Sequence, residues 1–176
     1  MMWNPFDNKT VAVVGNAFSL FEKSQGELID KNDVVCRFNL GNKIIDKKHQ
    51  GERVDIAFFN VAGRYKYKDI ISELGDGPLI VHASGFFRRK SKSVATHYIP
   101  LESIEDIKKA AGVDRPSSGF SALHYISQCN PKEINIFGFD FNYDHHPLHA
   151  SHRASGPHDY RKEKEYIMNE GNKNVF

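Results

Sequence analysis

Apolar runs recur along the chain and alternate with amphipathic stretches. "TVAVV" (10–14), "DVVCRF" (33–38), "RVDIAFF" (53–59), "PLIVHA" (78–83), "THYIP" (96–100) and "EINIFGF" (133–139) are rich in Val, Ile and Phe. Several are apolar at successive positions, the pattern of strands covered on both faces. Phe18–Ile29, Tyr65–Leu74, Ile104–Ala111 and Phe120–Gln128 lie between them and are helix-compatible. Such alternation predicts an α/β fold: a mainly parallel sheet with helices on both faces and right-handed crossovers. The polar stretch 142–157, "NYDHHPLHASHRASGP", has no apolar period and reads as a long loop. A last helix is expected over 158–170, where Arg161 and Glu165 stand at i,i+4, followed by a fraying tail.

A length of 176 residues, 40% of them hydrophobic, suits one domain over 1–176 with a core of its own. The formal charge of +2 comes from 24 bases against 22 acids, so no global field points to nucleic acid or a membrane. The first residues, "MMWNPFDNKT", have no leader pattern, and the chain has no apolar run long enough to span a bilayer. A soluble, cytoplasmic protein is expected. Cys36 and Cys129 then read as small buried hydrophobes in a reducing compartment.

Open parallel sheets bind ligands beyond the carboxyl ends of their strands, and four stretches with suggestive chemistry fall at such ends. In "TVAVVGNAFSL" the turn after the first strand offers backbone N–H groups for an anion, with the Asn16 amide beside them. A tight structural turn explains the same residues, and neither a G-x-G-x-x-G nor a P-loop pattern is present. "VVCRFNLG" puts Arg37 and Asn39 on one face as long as the strand persists, so that Asn39 would meet the ligand of Asn16. "RPSSGF" sets Ser117, Ser118 and Gly119 at a helix start, where they serve as an N-cap or, with glycine admitting a close approach, as a ligand cradle.

The fourth stretch, "INIFGFDFNYDHH", leads into a loop whose histidines, His145, His146, His149 and His152, are followed by His158. They invite a zinc reading, but no H-E-x-x-H spacing and no nearby cysteine supports it. A single histidine before a helix instead suits a base, because imidazole ordinarily titrates near neutrality.

Taken in order, these stretches resemble the sialyltransferases, above all the animal-type family 29 with its large, small, III and very small motifs. "VAVVGNAFSL" through "DVVCRFNLG" is similar to the large motif, "RPSSGFSALHYISQCNPKEINIFGFD" to the small one, and "YDHHP" more loosely to motif III. His158 and Glu163 reproduce the His, four residues, Glu of the very small motif. The Gly-Asn turn, Ser-Gly helix start and Gly-x-Asp-Phe strand end are also similar to Campylobacter-type bacterial enzymes.

The resemblance implies a Rossmann-like, variant GT-A fold and inverting transfer of sialic acid, or a keto acid sugar such as Kdo, from a CMP-sugar donor. The acceptor would be a hydroxyl of a glycan, glycolipid or polysaccharide. It implies that Asn16 and Asn39 bind the CMP phosphate and its neighbours, and that Ser117, Ser118 and Gly119 hold the donor's carboxylate or nucleotide. Gly138 and Phe139 would pack near the cytidine. His158 matches the base; His146, Glu163 and Arg37 are candidates for acceptor or phosphate contact, with Glu163 orienting the loop that presents His158.

No metal and no cofactor is implied: CMP carries one phosphate, and the Asp-x-Asp of many diphosphate-donor transferases is missing. Val11 stands where the animal family has the first cysteine of a disulfide, and Cys129 falls near the second, so that bond is expected to be absent. Less chain lies between the large and small motifs than in the animal enzymes, which leaves the acceptor open. The basic, aromatic "FFRRKSKS" (86–93) suits either contact with an anionic glycolipid or a solvated loop. The competing readings are a catalytically reduced CMP- or glycan-binding protein of the same fold and a metal-dependent hydrolase built on the histidine loop.

Overall fold

The computed structural model describes residues 4–59, 68–74, 77–82, 97–141 and 158–170. The loop 142–157, the basic stretch 86–93, the tail 171–176 and the start of the helix expected from Tyr65 lie outside them. Six strands, β1 (Thr10–Val14), β2 (Val34–Phe38), β3 (Ile56–Phe59), β4 (Leu79–His82), β5 (His97–Tyr98) and β6 (Glu133–Phe137), form one sheet. Their order is β5-β4-β3-β2-β1-β6, and every neighbouring pair is parallel. All six apolar runs are therefore strands, in the fold class expected.

The described helices are α1 (Gly26–Asp30), α2 (Lys47–Gln50), α3 (Lys68–Leu74), α4 (Leu101–Ala111), α5 (Ser118–Ser127) and α6 (Tyr160–Glu170). The period-2 geometry of the strands divides the core. Val11, Val13, Cys36, Phe38, Ile56 and Phe58 join Ile104 and Ile107 of α4, Phe120, Leu123 and Ile126 of α5, and Ile167 of α6 on one face. Ala12, Val14 and Val35 pack with Leu20 and Ile29 on the other, where Ala57 and Phe59 meet Ile70 of α3. Both faces are covered, which is why β1 and β2 can be apolar without alternation.

The helix expected over Phe18–Ile29 is instead a 3-10 turn at Phe18–Phe21 followed by α1. Gln25 Nε2 donates to the Leu20 carbonyl at 3.2 Å, taking an acceptor that a continuous helix would use. Gly26 then brings α1 so close to the Lys47 carbonyl that a side chain would collide with it. Local propensity yields here to the packing of α1 on α2. Helix starts elsewhere follow their caps: Ser117 Oγ accepts from Phe120 N at 3.2 Å and Asp159 Oδ1 from Lys162 N at 3.1 Å. Cys36 and Cys129 are buried free thiols, and Val11 pairs with Ile134 in the sheet. Among the described residues no helix is long and apolar enough to cross a membrane.

Candidate active site

The strand order runs one way from β1 to β5 and then returns to put β6 on the far side of β1. The reversal falls at the carboxyl ends of β1 and β6, the place where such sheets bind ligands. Beyond the strands, Gly15 N donates to the Phe137 carbonyl at 2.7 Å and Ala17 N to the Gly138 carbonyl at 3.0 Å. Gly138 has a φ of 65°, a left-handed conformation that favours glycine.

Phe139 joins the pieces. A side chain on Gly15 would lie 2.7 Å from its ring, and one on Gly119 would lie 2.8 Å from it, so the ring sits between the first turn and the start of α5. Its edge also meets Phe38 at a centroid distance of 6.1 Å. The space left by Gly119 thus belongs to Phe139 and not, as its position at a helix start implied, to a ligand.

Asn16 reaches across to the end of β2, where its Nδ2 donates to the Phe38 carbonyl at 3.1 Å. Its Oδ1 is buried against Gly41 and accepts no hydrogen bond. A buried acceptor without a partner costs about 1–3 kcal/mol, so a ligand hydroxyl or amino group that supplied one would gain what the free protein lacks. Asn39 follows directly, but β2 ends at Phe38 and Asn39 begins a 3-10 turn with a φ of 47°. Asn16 and Asn39 are brought together through Phe38, not through a shared strand face.

Arg37 is a correction to the sequence reading. It lies on the other face of β2 with no exposed surface, and donates from Nε to the Arg53 carbonyl at 2.8 Å and from Nη2 to the Gln50 carbonyl at 2.6 Å. Burial lowers its pKa to about 10, while Asp30 and Asp55 oppose the shift. The guanidinium remains charged at neutral pH and pins the end of α2 and Arg53 to the sheet, while its Nη1 is buried without a partner. Arg37→Met is expected to cost about 2 kcal/mol by leaving those carbonyls short of donors. Denaturant unfolding would show it, and an unchanged midpoint would contradict this role.

The start of α5 is clamped by the segment that opens α6. Glu163, 1% exposed, accepts from Ser117 N at 2.7 Å through Oε1, and its Oε2 lies 2.8 Å from Ser117 Oγ. Burial raises the Glu163 pKa to about 7; the Ser117 hydrogen bonds pull it down, and the charge of Asp159 adds to the rise. His158 Nδ1 lies 2.8 Å from the Arg115 carbonyl. A carbonyl only accepts, so Nδ1 carries the hydrogen and the lone pair of the neutral ring is at Nε2, the form a general base requires. His158 and Glu163 therefore hold the same short segment, Arg115–Ser117, from two points. His146 lies outside the described residues, as does the histidine loop; among the described residues no three His, Cys, Asp or Glu side chains group as metal ligands.

One contact had no role assigned from sequence. The Asp140 carboxylate accepts from Ser19 N at 3.2 Å and from Ser19 Oγ, tying the 3-10 turn after Asn16 to the end of β6. The Gly-x-Asp-Phe pattern marked the residue, but its partner lies 121 positions away.

The sequence model of glycosyltransferase family 29 (sialyltransferase) matches residues 3–76, which hold the Asn16 turn and Asn39. No curated protein sequence matches. A mammalian sialyltransferase structure aligns with a TM-score of 0.66 at 17% identity, over 96% of this chain and 69% of the other. The monofunctional α-2,3-sialyltransferase Cst-I of Campylobacter jejuni aligns with a TM-score of 0.69 at 17% identity, over 99% and 78%. CstII from the same organism, solved with the substrate analogue CMP-3FNeuAc, aligns with a TM-score of 0.59 at 19% identity, over 93% and 76%. At these identities the structures establish a shared fold, the Rossmann-like variant of GT-A, and the resemblance drawn from the motifs leads to the same enzymes.

Proposed function

We propose that this chain is a CMP-sugar-dependent, inverting glycosyltransferase that moves sialic acid, or a related keto acid sugar such as Kdo, onto a hydroxyl of a glycan, glycolipid or polysaccharide. The observation that carries the proposal is a continuous chain of contacts. It runs from Asn16 by Phe38, and from Gly15 directly, to Phe139 and on to Gly119, along the helix start to Ser117, and by Arg115 to His158. Residues from four distant parts of the sequence thus meet near the β1/β6 switch point, which supports the reading. The family model matched at residues 3–76 points to the same class of enzyme.

In this reading the N-terminus of α5, with Ser117 and Ser118, and the turn at Asn16 receive the anionic donor; helix N–H groups and hydroxyls are suited to phosphate and carboxylate oxygens. Asn16 Oδ1 takes a hydrogen from a hydroxyl or amino group of the nucleotide, and Asn39 frames the same edge. As CMP departs, the anomeric carbon becomes oxocarbenium-like and the preorganised donors stabilise charge growing on the phosphate. His158 Nε2 takes the acceptor's proton as it attacks from the opposite face. Proton transfer and positioned donors supply the catalysis, and no divalent metal is required for a single-phosphate leaving group.

Incubation with CMP-sialic acid and CMP-Kdo, with and without glycan acceptors and EDTA, followed by mass spectrometry of CMP release, tests the reading. Consumption of a different nucleotide sugar and neither CMP sugar overturns it. Tight CMP binding without release under any condition would support the binding-protein alternative. Asn16→Ala is expected to weaken CMP binding about tenfold by calorimetry, the worth of one good hydrogen bond. Unchanged affinity would remove Asn16 from the site.

A further inference from the structure

We propose that Glu163 is a proton-dependent positioning residue: in its neutral form it turns the Ser117 hydroxyl outward as a hydrogen-bond donor to the CMP sugar, and in its ionised form it withdraws that donor. The inference rests on the functional reading above and deepens it.

A serine hydroxyl has one hydrogen to give and two lone pairs to fill. At Ser117 one lone pair is taken by Phe120 N at 3.2 Å, and Glu163 Oε2 stands 2.8 Å from the same oxygen. When Glu163 is a carboxylate it has no hydrogen, so the Ser117 hydrogen must lie between the two oxygens. When Glu163 is neutral, Oε2 carries the proton and donates it into the second lone pair of Ser117. Both lone pairs are then filled, and the hydroxyl hydrogen is released to a third direction. Ser117 is only half-buried, so the residue is accessible to a bound molecule.

Glu163 Oε1 accepts from Ser117 N at 2.7 Å in either state, so the clamp on the helix start survives the change. Phosphate and carboxylate oxygens only accept at neutral pH, and a Ser117 hydroxyl committed to Glu163 has nothing to give them. Donor binding and proton uptake at Glu163 are therefore linked, and the linkage is reciprocal.

The surroundings allow the change near neutral pH. Glu163 is 1% exposed, and burial brings its pKa to about 7. Asp159, just before its own helix, adds repulsion. Lys162 is drawn to the Gly112 carbonyl at 2.8 Å and stands 3.9 Å from Asp159. His158 is engaged by the Arg115 carbonyl, and on α5 the His124 ring meets Tyr166 of α6. Asp114 and Arg115 precede α5; on α4, Lys108 pairs with Glu105 at 2.9 Å and Lys109 is exposed. Among the described residues none forms an ion pair with the Glu163 carboxylate.

The test is CMP affinity by calorimetry at about pH 6 and about pH 8.5 for the wild type, Glu163→Gln and Ser117→Ala. The Gln amide mimics the neutral acid, with an oxygen for Ser117 N and an N–H for Ser117 Oγ. Wild-type CMP affinity is expected to fall about tenfold more than that of Glu163→Gln between the two pH values, the worth of one hydrogen bond to an anion. Ser117→Ala should show the weak affinity at both. Titration of CMP itself is common to all three proteins and cancels in the ratio. A wild-type to Glu163→Gln ratio that is constant with pH, alongside measurable binding, overturns this inference alone; no CMP binding by any protein at any pH overturns the functional reading as well. If either variant fails to fold, the titration of the wild-type carboxyl with and without CMP still decides. The Glu163 carboxyl carbon, followed by NMR, should titrate at higher pH when CMP is saturating, and an unmoved midpoint contradicts the linkage.

Discussion

Replacing His158 with alanine is expected to lower kcat about a hundred- to ten-thousand-fold, the usual worth of general-base catalysis, while CMP affinity stays close to that of the wild type. The split between the two constants carries the argument. The ring is anchored by Nδ1 to the Arg115 carbonyl at 2.8 Å, which directs the basic Nε2 to whatever lies beyond the helix start. A group that acts only as the acceptor's proton is lost contributes to the transition state and not to the resting complex. Single-turnover measurement of CMP release, beside calorimetric CMP binding, separates the cases. Loss of affinity equal to the loss of rate would make His158 a donor-binding residue, and a rate within about twofold of wild type would remove it from the reaction altogether.

Glu163→Gln is expected to make the protein more stable than the wild type at alkaline pH. The Glu163 pKa is about 7 in the folded chain against 4.5 for the ordinary carboxyl, so the folded state holds the proton more tightly. The stability this contributes is fully present below the unfolded value of 4.5 and is lost as pH rises through 7. The difference corresponds to about 3 kcal/mol at about 1.4 kcal/mol per unit, without a discount for screening in a side chain so deeply buried. Wild-type unfolding free energy should therefore fall by that order between about pH 5 and pH 8.5 relative to the variant, in which the amide stays neutral. Chemical denaturation at the two pH values checks this. A variant less stable than the wild type at pH 8.5 would mean that the ionised carboxylate gains more from Ser117 than it loses by burial. A strained carboxyl of this kind is the cost a functional site accepts where its protonation matters.

Much of the candidate site is legible in the amino-acid order, for identifiable reasons. Asn16, Ser117 and His158 each stand at an element boundary, and boundaries are written in residues close in sequence: a Gly-Asn turn, a Ser before a helix, a His ahead of a charged amphipathic stretch. Arg37 was misread because its role depends on where β2 ends and on which face it then occupies. Asn39 was placed on a strand that a 3-10 turn had already closed. The single helix expected over Phe18–Ile29 failed at Gly26, whose backbone is pressed against α2.

The sequence by itself determined the parallel α/β character, the strands, the cap at Ser117 and the spacing of His158 and Glu163, because each depends on the chemistry of neighbours a few residues apart. Only the tertiary structure decided that β6 lies beside β1 and creates the switch point, and that Phe139 fills the space left by Gly15 and Gly119. It alone joined Glu163 to Ser117, 46 positions away. Those facts belong to contacts between distant segments, where packing chooses among partners that no local pattern can distinguish.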